Sequence, residues 1–419
     1  MKEHKQKTGS AGTRNARSDC FVDLEISGKG GIAIDLSSKV GSLYGDSIRS
    51  LVRDVLSSLK IDHAVVLVED RGAVPFVIAA RVEAAVRRAI PETSSFLLPS
   101  ASKQKQPVKH RLRRTRLYLP GNDPRFFINA GLHVPDCVIL DLEDSVAPGE
   151  KDAARILVRN ALRAVDFGSA EVMVRINTGQ SGLDDAREVL PHGVETILIP
   201  KCESPDDVSS VAELVTSMRR QKLVRHEVYL LPIIESAKGV EHAFGIASSK
   251  HVCALAIGLE DYCADIGVQR TREGKESAFA RGAIVNAARA AGVQPLESVF
   301  SDVDDLAALR ASAAESRALG FKGMGCIHPR QIEVIHDVFT PGEGEILNAQ
   351  QIVLAYEAAE KSGSGVVALG SKMIDMPVVL QALQTVSLAE KTGIINRTWR
   401  KDVVLGSGEA GPKEDGNAE

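Results

Sequence analysis

The sequence contains few aromatic residues and no long apolar segment. Aromatic residues make up 4% of its 419 residues, and Trp399 is the single tryptophan. Because no run of 18 apolar residues occurs, we expect no membrane-spanning helix. The six cysteines show no paired spacing, which favours buried free thiols in a reducing compartment over disulfides or a zinc site. The net charge of -4 gives no reason to expect a nucleic acid as partner.

The apolar residues of the chain indicate a protein with a closely packed interior. Apolar residues make up 44% of the chain and are mostly Ala, Val, Leu and Ile, side chains that suit a sheet flanked by helices. Residues 1–7 are charged and no apolar core follows them, so we expect no signal peptide and a cytoplasmic location.

Eight short apolar runs follow one another in the last three-quarters of the chain, and helical patterns separate most of them. Strands separated by helices require parallel pairing, and eight such units in roughly 220 residues match the size of a (β/α)8 TIM barrel. An open doubly wound sheet is the alternative, but no Gly-x-Gly-x-x-Gly follows the first run, so nothing indicates a dinucleotide. The runs are residues 117–119, 137–140, 172–176, 196–199, 228–234, 253–257, 296–300 and 325–327.

Composition divides the whole chain into five regions. Residues 1–95 are expected to form a small α+β domain, with strands at 20–26, 31–36 and 64–68 and helices at 76–89 and at 46–59, the latter capped by Asp46. Residues 96–112 have the composition of a basic linker, either a solvated tether or a patch for an anionic ligand. The barrel is expected at 113–345, a C-terminal helical extension at 346–395 and a disordered tail at 396–419.

Polar residues stand where the apolar runs stop, which is where a barrel of this type places its reactive groups. Converging carboxylates raise one another's pKa, and a divalent cation removes that cost. A ligand set of oxygen atoms without His or Cys points to Mg²⁺. Glu235 and Asp261 are the best ligands, because each follows a strand that is almost wholly apolar. The other candidates at these ends are Asp141, Glu143, Asp144, Glu260, Asp302, Arg175, Lys201, His328 and Arg330.

Several of these residues also have a purely structural interpretation. Asp144 and Glu260 equally suit the first turn of a helix. Arg175 lies inside an apolar strand and needs an anionic partner, which is either a protein carboxylate or a substrate carboxylate. Lys201 bonds either a neighbouring acid or the substrate, and His328 is either a strand-end residue or a base. Glu235 and Asp261 are not needed as helix caps, because other residues are available for that, Ser236 and Asp265.

Residues 113–395 resemble the citrate lyase beta subunit and its citramalyl-CoA and malyl-CoA lyase relatives. The resemblance implies a carbon–carbon lyase that holds Mg²⁺ on Glu235 and Asp261 and a substrate carboxylate on Arg175. Its substrate would be a 3-hydroxy-3-carboxy acyl thioester of the citryl, citramalyl or malyl type, cleaved to an oxo acid and an acyl thioester. The matching stretches are RTRLYLPG at 114–121, DLEDSV at 141–146, VRIN at 174–177, IES at 234–236, IGLEDY at 257–262, IHPRQ at 327–331 and MIDMP at 373–377.

The same resemblance implies a homo-oligomer, with a trimer suggested by the family. Asp375 would then reach the barrel mouth of a neighbouring subunit and act as the acid/base. We further expect Arg114 and Lys201, together with Glu235, to contact the substrate. The region around Arg114 carries basic groups that either meet the phosphates of a CoA-type thioester or remain solvated.

Residues 11–90 are similar to the citrate lyase acyl carrier (gamma) subunit. The matching stretches are AGT at 11–13, SDC at 18–20, YGDSIR at 44–49 and ARVEA at 80–84. The carrier serine of that family bears a phosphoribosyl-dephospho-CoA arm, and Ser18 is the candidate here because it is the nearest hydroxyl after Thr13. The domain is then either a carrier that swings on the linker and is served by an acyl-transferase subunit, or a relic beside a barrel that uses free CoA thioesters.

Two functions of other classes remain possible from the sequence. One is a non-catalytic carrier or assembly subunit, against which the complete set of strand-end acids argues. The other is an oxo-acid aldolase that acts without a thioester, against which the carrier-like domain argues.

Overall fold

The computed structural model describes residues 7–101, 106–361, 367–369 and 372–401. The chain divides into two compact units, residues 1–335 and residues 336–419. Within the described ranges, no helix is both long enough and apolar enough to cross a bilayer. Most of the predicted disordered tail, residues 402–419, lies outside the described residues, as do Lys103 and Lys105 of the predicted linker.

The N-terminal part of the first unit is a four-stranded sheet with two helices. Its strand order is β1-β2-β4-β3, in which β3 and β4 are parallel and the other two pairs are antiparallel. The three strands and two helices expected from the sequence are present. The elements are β1 (Lys7–Ala11), β2 (Cys20–Ile26), β3 (Ile32–Ser38), α1 (Gly41–Ser58), β4 (Ala64–Asp70) and α2 (Pro75–Ala89).

Two details of this domain differ from the sequence prediction. Helix α1 begins at Gly41 after Val40, so Asp46 lies inside the helix and does not cap it. The two glycines of its first turns, Gly41 and Gly45, conceal the helical pattern because glycine is a poor helix former. Strand β1 was not predicted, since its sequence KTGSA has no alternation of apolar residues; it forms by pairing at the sheet edge with β2.

Eight parallel strands close into a barrel in the second part of this unit. The ring runs β10-β11-β12-β5-β6-β7-β8-β9, so neighbours in sequence are neighbours in space. This confirms the predicted TIM-barrel fold. The strands are β5 (Thr115–Pro120), β6 (Cys137–Asp141), β7 (Glu171–Arg175), β8 (Thr196–Ile199), β9 (Tyr229–Ile234), β10 (Ala254–Ile257), β11 (Gln294–Val299) and β12 (Met324–Cys326).

Helices lie between and after these strands in the chain. Helix α6 shows how local sequence starts one of them: Ser204 and Asp207 form a reciprocal capping box, and Pro205 occupies the first turn. The helices are α3 (Arg125–Ile128), α4 (Lys151–Ala164), α5 (Gly179–Val189), α6 (Pro205–Arg220), α7 (Ala237–Glu241), α8 (Ala243–Ala247), α9 (Leu259–Asp265), α10 (Ala278–Ala290), α11 (Leu306–Leu319) and α12 (Arg330–Phe339).

The barrel interior is packed with side chains rather than open. Successive residues of a strand point to opposite faces, so every second residue of each strand faces inward. The inward residues of the lower layers form one apolar cluster against which Tyr118 also packs. Its members include Cys137, Ile139, Met173, Leu198, Leu231, Ile233, Ala254, Ala256 and Leu296.

The N-terminal domain is fixed to the barrel by charged groups. Helix α2 packs against α4, and Arg159 of α4 holds both carboxylate oxygens of Glu83, at 3.0 and 2.6 Å. The predicted linker also contacts α4: Phe96 and Leu98 accept hydrogen bonds through their backbone carbonyls from Arg159 and Arg163. The described part of the linker next to the N-terminal domain is therefore bound to the barrel surface and is not a solvated tether.

The second unit contains two long helices that pack on each other. Their contact buries an apolar cluster that includes Val353, Val379 and Trp399. Helix α13 spans Glu343–Lys361, the antiparallel strands β13 and β14 span Val367–Leu369 and Lys372–Ile374, and helix α14 spans Met376–Lys391.

Candidate active site

A pocket of about 430 Å³ opens where the barrel strands end. Residues of six of the eight strands line it, because parallel strands place their carboxyl ends on one side of the barrel; these strands are β5, β6, β7, β9, β10 and β11. The sequence-predicted candidates Asp141, Asp144, Arg175, Glu235, Glu260 and Asp261 all line the pocket.

Glu235 directly follows β9 and is almost fully buried, with 7% of its surface exposed. Its Oε2 accepts a hydrogen bond of 2.7 Å from the backbone N–H of Lys201. Burial raises the pKa of Glu235 to about 7; the charges of Asp261 and Glu143 add to the rise, and the Lys201 N–H opposes it. Gly258 of the neighbouring strand end makes room for this carboxylate, since a Cβ there would lie 2.4 Å from Oε1.

Asp261 lies in the first turn of α9, directly after β10, and β10 is paired with β9. Glu235 and Asp261 therefore share one pocket. The residues expected to serve as helix caps do so: the Ser236 hydroxyl accepts from Gly239 N–H, and Asp265 accepts from Ala237 N–H at 2.8 Å. Across the described ranges, no group of three or more His, Cys, Asp or Glu side chains is arranged to hold a metal ion. A cation here would have two protein carboxylates and take its other ligands from water or substrate.

Arg175 has protein carboxylates as its partners. Its Nε and Nη2 donate to the two oxygens of Asp141 at 2.7 and 2.8 Å, and its Nη1 lies 2.9 Å from Glu143. Burial alone would raise the pKa of Asp141, but the hydrogen bonds and charge of Arg175 outweigh it, so the pKa is lowered. The guanidinium also lies 5.3 Å from the ring centre of Tyr118. The protein-carboxylate partner left open by the sequence is thus present.

Lys201 likewise bonds neighbouring acids. Its Nζ lies 2.7 Å from Glu143 and 3.2 Å from Asp144. Burial opposes the charge of Lys201, but these two carboxylates outweigh it and raise the pKa of the amine above its usual value. Lys201 has a left-handed backbone, with φ of 51°, and this conformation accompanies the contact of its N–H with Glu235. One residue thus bonds carboxylates through both its backbone and its side chain.

Two pocket residues on β5 were not predicted individually. Arg116 and Tyr118 line the pocket together with Pro120. Burial raises the pKa of the Tyr118 phenol. The alternation of residues along a strand could have identified them. Residues 116, 118 and 120 share one face of β5, and Pro120 lies at the end of the strand.

The structure does not bring every predicted residue to the pocket. Arg114 precedes β5, at the end of the barrel away from the pocket, where it forms a two-bond ion pair with Asp136; it does not line the pocket. Asp302 accepts the backbone N–H groups of a turn, and Arg330 pairs with Asp304 at 2.7 Å. Glu260 does line the pocket, but its carboxylate pairs with Arg270 at 2.8 Å, as expected of a first-turn acid.

Two predicted residues lie outside the barrel. Asp375 is the residue before α14 in the second unit; it is exposed, and its side chain makes no capping hydrogen bond. Ser18 lies in a loop of the N-terminal domain with φ of 60°, and its N–H donates to the Arg71 carbonyl at 3.1 Å. Asp19, the next residue, is buried and forms a two-bond ion pair with Arg81.

The closed barrel and its carboxylate-lined pocket define an enzyme whose active site lies at the carboxyl ends of the strands. The family model for HpcH/HpaI aldolase/citrate lyase matches residues 114–329. The chain belongs to this family of lyases. A carrier-protein family model, malonate decarboxylase delta subunit (MdcD), matches residues 6–89, which confirms an acyl-carrier-like N-terminal domain.

Individual relatives agree with this assignment. The citrate lyase subunit beta of Leuconostoc mesenteroides subsp. cremoris is 37% identical over 294 residues, which cover 68% of this chain and 96% of that protein. The mitochondrial citramalyl-CoA lyase of Homo sapiens is 32% identical over 300 residues, covering 67% of this chain and 86% of that protein. The structure of CitE from Mycobacterium tuberculosis in complex with magnesium, acetoacetate and coenzyme A has a TM-score of 0.56 at 28% identity, covering 67% of this chain and 99% of that chain.

Proposed function

We propose that the protein is a Mg²⁺-dependent lyase that cleaves a 3-hydroxy-3-carboxy acyl thioester to an oxo acid and an acyl thioester. The observation that carries the proposal is the shared pocket of Glu235 and Asp261 at the ends of two paired strands. The similarity to citrate lyase beta subunits and to a citramalyl-CoA lyase supports a thioester of the citryl, citramalyl or malyl type.

The residues present fit a magnesium ion. Mg²⁺ is commonly held by one or two carboxylates and keeps water or substrate in its other positions. Burial and the charge of Asp261 raise the pKa of Glu235 to about 7, an electrostatic cost that a divalent cation at Glu235 and Asp261 would relieve. When bound, the ion supplies Lewis-acid polarisation of the substrate oxygens. The magnesium in the similar CitE structure supports this choice of metal.

The chain's own side chains orient the substrate. Arg175 is proposed to bind a substrate carboxylate, which would share its Nη1 with Glu143 and Asp144, at 2.9 and 3.4 Å. Lys201 holds Glu235 through its backbone N–H and spans Glu143 and Asp144 with its amine, so it fixes the acidic wall of the pocket and contacts the substrate from there.

Asp375 is the proposed proton donor to the thioester enolate that carbon–carbon cleavage leaves. Its carboxylate is exposed and makes no capping hydrogen bond to α14, so it is available for another partner. We propose that it acts in the pocket of a second subunit of a homo-oligomer, which the family suggests is a trimer.

The acyl-carrier-like domain is proposed to supply the thioester in one of two forms. Either Ser18 carries a phosphoribosyl-dephospho-CoA arm loaded by an acyl-transferase subunit, or the barrel takes free CoA thioesters. The contacts of α2 and residues 96–98 with α4 support a carrier whose arm moves while the domain stays in place. Intact-mass measurement of the purified protein and of Ser18→Ala separates the two forms, because only an arm adds mass that the variant lacks.

The proposal is tested with citryl-, citramalyl- and malyl-thioesters, by detecting oxaloacetate, pyruvate or glyoxylate. Glu235→Gln and Asp261→Asn should each lower Mg²⁺-dependent kcat at least about 100-fold, because each removes a metal-binding charge. Glu260→Gln is the matched control, since Glu260 lies in the same turn as Asp261 but pairs with Arg270, and it should retain activity. Full wild-type turnover in excess EDTA would refute the metal dependence.

A further inference from the structure

Arg116 is a cation on the inner wall of the barrel. Alternate residues of β5, Arg116, Tyr118 and Pro120, line the pocket, while Leu117 and Leu119 face the other way and are buried. Pro120 is level with Asp141 and Arg175 across the paired strands, and Arg116 is level with Cys137. Arg116 therefore starts deeper in the barrel than Arg175, towards the floor of the same pocket.

The guanidinium of Arg116 is buried and incompletely bonded. The residue is 1% exposed, and its Nη2 donates to the backbone carbonyl of Glu297. Its Nε and Nη1 are buried and have no hydrogen-bond partner. The Glu297 carboxylate is directed elsewhere, to Arg281 and Ser316. Within the described ranges, Arg116 forms no ion pair with a protein carboxylate.

The other large buried arginines of the chain show what an ordinary structural role looks like. Arg81, Arg113 and Arg159 are each fully buried, and each forms a two-bond ion pair with one carboxylate. A buried cation without such a partner is strongly unfavourable. Arg116 differs from these three in that it faces a pocket, where a ligand can supply the missing anion.

We propose that Arg116 binds a second carboxylate of the substrate at the pocket floor. The inference rests on the proposed lyase function and names the class of its oxo-acid product: a 2-oxo dicarboxylate, whose distal carboxylate meets Arg116 while the carboxylate next to the oxo group lies at the mouth near Arg175. A monocarboxylic oxo acid leaves Nε and Nη1 without a partner, and such an unpaired buried group is what allows a site to discriminate between ligands.

The test compares binding of oxaloacetate and pyruvate to the full-length protein in the presence of Mg²⁺, by calorimetry. The wild type should bind oxaloacetate at least about tenfold more tightly than pyruvate, as charge-assisted bonds to a buried guanidinium predict. Arg116→Met should lose that preference and change pyruvate affinity less than about threefold. Inorganic phosphate should not displace oxaloacetate; displacement would overturn the assignment of a carboxylate subsite.

The matched control is Arg113→Met, which removes a buried arginine that is already paired with Glu171 at 2.8 Å. Ligand-free Arg116→Met should unfold at the same temperature as the wild type or higher, because it removes an unpaired buried charge. Arg113→Met should unfold at a lower temperature and keep the preference for oxaloacetate. A preference that survives in Arg116→Met, or an equal loss of affinity for both oxo acids, overturns the subsite.

Failure of the proposed function gives a different result. Binding is measured without turnover, so a protein that shows the Arg116-dependent preference but cleaves no thioester supports the subsite and overturns the lyase assignment. A protein that cleaves thioesters with no dependence on Arg116 overturns the subsite and leaves the lyase assignment in place.

Discussion

The ion pair between Glu83 of α2 and Arg159 of α4 joins the carrier-like domain to the barrel. The side chains are 0% and 1% exposed, and their closest atoms are 2.6 Å apart. Removing one partner of a buried pair costs about 3–5 kcal/mol, because the other charge stays buried. In Glu83→Leu, Arg159 keeps Glu188 at 2.6 Å, so we expect the lower end of that range, about 3 kcal/mol of unfolding free energy.

The double variant Glu83→Leu/Arg159→Met separates the pair from the rest of the interface. Replacing both charges by apolar groups removes the desolvation cost together with the attraction. Arg87 and Glu188 each lose one partner but still pair with each other at 3.4 Å, so the stability should return to within about 1 kcal/mol of the wild type. The control is Asp152→Asn, which weakens an exposed pair across the same interface. Arg88 and Asp152 are 2.7 Å apart but 23% and 52% exposed, so the loss should stay below about 1 kcal/mol.

Urea unfolding followed by far-ultraviolet circular dichroism measures these free energies for the whole chain. Fluorescence is a separate reporter, because the single tryptophan, Trp399, belongs to the second unit. If Glu83→Leu and Arg159→Met each lost less than about 1 kcal/mol and the double variant lost their sum, the pair would contribute nothing and the argument for a fixed carrier-like domain would fail.

Two further predictions concern the pocket and the barrel surface. Gly258→Ala would place a Cβ 2.4 Å from Glu235 Oε1 and displace the carboxylate, so kcat/KM should fall at least about tenfold while the unfolding midpoint changes little; unchanged kcat/KM would contradict the packing. Burial, followed by the charges of Arg163 and Arg159, lowers the pKa of His192 from 6.5 to about 4. The unfolded chain therefore binds a proton that the folded chain does not, and stability is lost as the pH falls from 6.5 towards 4. His192→Asn should reduce that acid loss by about 1–2 kcal/mol in urea titrations across this range, and an identical pH profile would refute the cause.

The barrel was predictable because strands buried on both faces give continuous apolar runs. The apolar run at 296–300 is interrupted by Glu297 and Ser298, and the structure shows why a charge is tolerated there. The Glu297 carboxylate is 2.8 Å from Arg281 of α10, which satisfies it on the outside of the barrel. Such a pairing depends on the packing of a helix against a strand, so a one-dimensional pattern cannot reveal it.

The sequence allowed us to predict which residues form the site, but not which hydrogen bonds they make with one another. Strand ends identify Arg175, Glu235 and Asp261 as neighbours, because parallel strands end together. Which carboxylate Arg175 binds depends on how far the side chains reach across adjacent strands. Asp141 accepts hydrogen bonds from both Nε and Nη2 of Arg175. A basic cluster before a strand likewise gives no indication of the end of the barrel at which each side chain lies, and Arg114 lies at the end away from the pocket.

Helix α2 packs against the carrier-like domain and also against the barrel. Its residues from Phe76 to Val86 are all buried, between the sheet of the carrier-like domain and helix α4 of the barrel. An isolated carrier protein must expose the outer surface of its helices to solvent. In this chain that surface of α2 is buried along most of the length of the helix. Separating the two domains would therefore expose α2 side chains that are buried here, and it would leave the carboxylate of Glu83 without its partner Arg159.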